Sequence, residues 1–132
     1  MKVFIYFNLH KRVFSVKAME GENKGRVIAH REQALVNNPQ FRVSQAGRAR
    51  VLREKKKNVH AGVYGTWVDV VDDGLARTAL SIAADGQPVR YNPYKYDSFV
   101  DDNEQRVFEA RVAALSLRTN DAGLRVGSIS MI

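Results

Sequence analysis

The sequence predicts an α+β fold: a single antiparallel, β-rich domain built of hairpins, with one prominent basic helix over about residues 45–57. Three observations predict it. Apolar residues alternate at Val3, Ile5, Phe7 and Leu9, the period-two signature of a half-buried strand. Turn-forming clusters recur at short intervals, at 8–11, 21–25, 72–74 and 120–123. Only the stretch after Ser44 combines an N-cap residue with a long run of helix formers.

Taken in order, Val3 to Leu9 and Val13 to Lys17 form an N-terminal hairpin around Asn8-Leu9-His10-Lys11, and Arg26 to His30 is a third strand. The even positions of the first strand, Lys2, Phe4, Tyr6 and Asn8, are mixed in character. Asn37-Asn38-Pro39 reads as punctuation. Val59 to Val71 is the longest strand, with Ala61, Val63 and Trp67 on one face and His60, Tyr64 and Thr66 on the other. Leu75 to Ala84 fits a short helix or a strand, and Glu104 to Val112 is open between helix and extended chain. Val89 to Tyr91 and Tyr96 to Val100 are short extended pieces. Ala113 to Thr119 and Leu124 to Ile129 make a terminal hairpin. The hairpins could close into a partial barrel. With no repeat and no linker, residues 1–132 are expected to form one domain.

Composition narrows the function. The absence of cysteine removes disulfides, thiol nucleophiles and cysteine-ligated zinc, and fits a reducing compartment. The opening apolar run is interrupted by Lys2, His10, Lys11 and Arg12, unlike a signal peptide, and nothing approaches the roughly 20 apolar residues of a membrane span. A cytoplasmic protein without a membrane partner is expected. The net charge of +7 is unevenly spread. Residues 1–68 hold seven Lys and seven Arg against four Glu, net +10, and residues 69–132 are net −3. A concentrated basic half points to an anionic partner.

That charge peaks in RVLREKKK, residues 50–57. On a helix, Arg50, Arg53 and Lys57 share a face, Val51 and Leu52 lie opposite, and Arg48 and Lys55 flank them. Arginine forks and lysine point charges suit phosphate oxygens. Downstream, VRYNPYKYDSFV interleaves Tyr91, Tyr94 and Tyr96 with Arg90 and Lys95, a pattern able to stack a base beside a phosphate. The expected ligand site is therefore Arg48, Arg50, Arg53, Lys57, His60, Tyr91, Tyr94 and Tyr96. Solvated charge and tyrosines packed around a proline turn would give the same pattern.

His10, His30 and His60 each sit near a strand edge beside a basic residue. Two of them with a cation could cleave RNA without metal, one taking the 2′-hydroxyl proton and the other protonating the leaving oxygen. Metal ligation is disfavoured, because no two histidines have ligand spacing. No P-loop, GxGxxG, HExxH or GxSxG occurs. No cofactor is expected, and the function expected first is non-enzymatic.

The strings VFIYFNLHKRVFSV, GRVIAHR, FRVSQAGRARVLREKKKNVHAGVYGT and YNPYKYDSFV, in that order, resemble a family of small proteins encoded by tailed bacteriophages. The resemblance covers roughly residues 2–66 and 89–100 and carries no activity with it. It implies work in the cytoplasm of an infected bacterium, where small phage proteins handle nucleic acid, redirect host enzymes or blunt host defence. By analogy, the leading expectation is capture of a small nucleotide signal of host immunity, such as a cyclic oligonucleotide. The alternatives are a DNA- or RNA-binding protein, a metal-free nuclease using the histidines, and a protein inhibitor of a host defence enzyme. A homo-oligomer would bring the site residues together from different chains.

Overall fold

The computed structural model describes residues 1–43, 61–71, 73–91 and 99–132, with backbone alone for Val43 and Tyr91. Its frame is a nine-stranded antiparallel sheet. In chain order the strands are β1 (Lys2–Asn8), β2 (Val13–Ala18), β3 (Val27–Arg31), β4 (Ala34–Val43), β5 (Ala61–Val68), β6 (Gln87–Tyr91), β7 (Phe99–Val100), β8 (Val112–Thr119) and β9 (Arg125–Met131). Across the sheet they run β3-β2-β1-β5-β4-β8-β9-β6-β7. One helix, α1 (Gly74–Ala84), lies between β5 and β6.

Alternation sorts each strand's side chains between two faces. The inner face carries Val3, Ile5, Phe7, Phe14, Val16, Val36, Phe41, Val63, Leu115 and Ile129, with Phe99 and Val107 closing one end. Phe14, Ile5, Leu115, Val3 and Val16 are under 2% exposed. Each such side chain contributes about 1.5–3 kcal/mol on burial. The sheet is curled, so that Gly127 of β9 lies against the Phe7 and Phe14 rings. Among the described residues it is an open sheet and not a closed barrel, with β3 and β7 at the two ends of the strand order.

The two hairpins and β3 stand as expected. Two expectations change. Asn37-Asn38-Pro39 does not end a strand: β4 continues through it as a bulge, its register to β5 shifting between Asn37 and Gln40. Asn38 adopts the left-handed conformation, with φ 50°, which asparagine tolerates better than most residues. Its N–H donates to Arg111 O at 2.9 Å, while Pro39, lacking an N–H, accepts from Ala110 N through its carbonyl. Gly65 faces this bulge, and a Cβ there would come within 2.6 Å of Val36 Cγ1 and 2.9 Å of Asn37 O. The open stretch before β8 runs extended, Phe108 O accepting from Phe41 N.

The second change concerns helix. The described helix is Gly74–Ala84, short and uncharged in its last turn, whereas the expected basic helix at 45–57 lies outside the described residues. Asp73 caps α1 by accepting from Ala76 N at 3.1 Å. Ala76, Leu80 and Ala83, one helical face, pack on Leu35 and Ala114 of the outer sheet face, with Val68 and Val112 beside them. The protein is thus β-rich, with one small helix among the described residues, and that helix covers the outer face of β4, β8 and the end of β5.

Candidate functional site

Where the β3–β4 turn, the chain after β5, α1 and the β8–β9 hairpin meet, they enclose a cleft of about 820 Å³. Arg31, Arg77, Arg118 and Arg125 line it, with Glu32 as the one lining carboxylate among the described residues. Arg31 is the most constrained. Its Nε and Nη2 donate to the two oxygens of Asp69 at 3.1 and 2.8 Å, Nη1 donates to His30 O, and the guanidinium lies 5.5 Å from the Trp67 ring centroid. The hydrogen bond from Arg31, helped by the Val71 N–H, holds the Asp69 carboxyl below the usual carboxylate range, and the same bond raises Arg31. Arg77 donates to the carbonyls of Val70 and Val71 and so shapes the wall. Arg125 donates one Nη2 bond to Glu32 at 2.9 Å. Arg118 is exposed and has no carboxylate partner among the described residues. Arg118 and Arg125 thus keep most of their donors for a ligand.

A polar chain adjoins the cleft at His30. Asn8 Oδ1 accepts from the N–H groups of His10 and Lys11, which turns its Nδ2 toward Ser15 Oγ at 3.1 Å. Ser15 Oγ lies 3.1 Å from His30 Nδ1. A serine oxygen can accept twice and donate once, so which of Ser15 Oγ and His30 Nδ1 donates depends on the ring tautomer. A serine bonded to a histidine has the form of a nucleophile and its base. Ser15 is fully buried, however, so it orients His30 and meets no substrate.

His30 belongs to the outer face, because it pairs with Ser15 and Ser15 pairs with Tyr6. Next to that row, Tyr64 pairs with Phe4 and Phe4 with Lys17. Phe4, Tyr6 and Tyr64 are half-buried, and the Arg42 guanidinium lies 4.6 Å from the Tyr64 ring centroid. No described element covers this part of the sheet.

Of the expected site residues, Arg48, Arg50, Arg53, Lys57, His60, Tyr94 and Tyr96 lie outside the described residues, and Tyr91 is placed by its backbone on β6, paired with Phe99. His10 sits in the exposed β1–β2 turn. His10 and His30 share the Asn8–Ser15 chain, but no hydrogen bond joins their rings. The sequence does not single out the cleft arginines. Spread from 31 to 125, they form no local pattern.

Among the described residues no group of three or more His, Asp and Glu is placed to hold a metal ion, and no helix is long and apolar enough to cross a membrane. The model of a family described as Mycobacterium phage L5 gene 82 protein matches residues 1–122. The chain belongs to that family. It is 35% identical to the gene 82 protein of Mycobacterium phage L5 over 131 residues, covering 95% of this chain and 94% of that protein. No solved structure matches. The Arg31–Asp69 pair, the outer aromatic face and the cleft residues other than Arg125 fall within the matched span.

Proposed function

We propose that this phage protein binds a phosphate-bearing ligand without catalysis, and that the ligand is a small nucleotide seated in the arginine cleft. One observation carries the reading: separate pieces of chain bring four arginines to a cleft of about 820 Å³ that, among the described residues, is lined by one carboxylate, with Asp69 bound to Arg31 beside it. Clefts of roughly 300–1,000 Å³ suit small ligands, and guanidinium forks suit phosphate. Arg31 and Arg77 are held by their own bonds, so they present a fixed wall. In the cytoplasm of an infected host, such a site would suit capture of a nucleotide signal of immunity.

The test is a thermal-shift and calorimetry panel of cyclic di- and trinucleotides and cyclic ADP-ribose isomers at 50 and 300 mM salt. Bound ligand is recovered after denaturation and weighed. Binding that persists at 300 mM salt, with ligand recovered intact, is expected. Arg118→Glu should weaken it about 10- to 100-fold, while Lys24→Glu, in the exposed β2–β3 turn, should not. Turnover of the ligand, or equal losses in both variants, would overturn the reading.

A further inference from the structure

We infer that the outer face of β1, β2 and β5 is a second site, a stacking platform for single-stranded nucleic acid. Phe4 and Tyr6 are two apart on β1 and therefore share a face, their ring centroids 6.3 Å apart and tilted by 32°. Tyr64 stands opposite Phe4 on β5. The Phe4 ring lies on Gly62, where a Cβ would come within 2.6 Å of Phe4 Cζ. The missing side chain makes room for the edge of the Phe4 ring against the β5 backbone.

The surroundings are cationic. Lys17 pairs with Phe4, Lys2 precedes it by one same-face position, and Arg42 covers Tyr64 and reaches Gln40. None of the residues these three strands place on this face is a carboxylate, and the Glu20 carboxylate reaches its margin by accepting from Lys2 N at 2.8 Å. The helix-covered half of the same face is built differently, from Leu35, Val68, Val112 and Ala114. The aromatic half thus differs in composition from the surface that seats α1.

The charge selects an anion, and the rings select flat partners. Bases offer their faces to protein rings only when unstacked, which favours a single strand over a duplex. Three rings offer room for about two to three bases, with phosphates running past Lys2, Lys17 and Arg42. The site goes beyond the cleft reading, which concerns a small ligand at the end of the sheet.

The experiment is fluorescence anisotropy of the full chain with labelled 12-mers of dT and rU, and with a 12-base-pair duplex, at 50 and 300 mM salt. The expected result is tighter binding of single strands than of duplex. Tyr6→Leu and Tyr64→Leu should each weaken it about tenfold, whereas Tyr6→Phe and Tyr64→Phe, which keep the rings, should bind like the unaltered protein. Thermal melts confirm that each variant is folded. Arg118→Glu should leave single-strand binding within twofold, which separates this platform from the cleft. Duplex binding as tight as single-strand binding would overturn the inference. So would leucine variants that bind normally, or binding only to anionic lipid vesicles.

Discussion

The outer face of the sheet is divided between two chemistries. Over β4, β8 and the end of β5 it is aliphatic, and α1 seats Ala76, Leu80 and Ala83 on it. Over β1, β2 and the start of β5 it is aromatic and cationic, with Phe4, Tyr6 and Tyr64 half-buried beside Lys17 and Arg42. β5 passes through both, carrying Tyr64 in one half and Val68 in the other. Strand geometry is therefore not what separates them. The side chains are, and they teach that a sheet face can be assigned to stability or to recognition four residues apart on one strand.

The largest effect should come from the covered half. Leu80→Ala removes a nearly buried side chain between α1 and the sheet and should cost about 2–4 kcal/mol in urea unfolding. In the aromatic half, Tyr6→Leu should cost under about 1 kcal/mol, since half-exposed positions outside the core are tolerant. If Tyr6→Leu cost as much as Leu80→Ala, the aromatic half would be a working part of the core and the division would fail.

Much of the frame was legible in the sequence. Val3-Ile5-Phe7 alternates cleanly because the inner face of β1 is dry. The β8–β9 hairpin was legible for the same reason, with Asn120 bonding back to the N–H groups of Ala122 and Leu124 in its turn. β4 was not legible, because Asn37-Asn38-Pro39 is a turn signal unless tertiary partners accept a bulge, and Arg111 and Ala110 are far away in sequence. α1 was ambiguous because its buried face is mostly alanine. The even residues of β1 looked merely mixed, yet an outward strand face that alternates rings with cations is what the platform consists of. The cleft could not be read at all: its arginines meet only after the sheet curls.

A smaller effect tests how the two halves are joined. Arg31 on the β3 edge reaches across to Asp69 just past β5, a bidentate pair at the surface. Asp69→Asn should cost about 0.2–1 kcal/mol, screened by salt, as exposed pairs do. Because the folded carboxyl is depressed, this stability is present above the ordinary carboxylate pKa. It should be lost as pH falls below about 5 and through the folded value. Unfolding free energies between pH 7 and 3 should therefore fall less steeply for Asp69→Asn than for the unaltered protein. Parallel pH profiles would show that the pair does not hold the halves together.

The smallest effect is expected beneath that pair. The Trp67 ring packs against the core with Arg31 over it, but its buried Nε1–H has no partner among the described residues. An unsatisfied buried donor costs about 1–3 kcal/mol. Trp67→Phe removes that donor along with part of the ring, so the two changes should nearly cancel, leaving stability within about 1 kcal/mol of the original. The Arg31 guanidinium keeps an aromatic face to rest on, and the pH profile set by Asp69 should be unchanged. A loss well above 2 kcal/mol would mean that the indole N–H is satisfied, and that the seam between the covered and the aromatic halves is held from below as well as by the ion pair above.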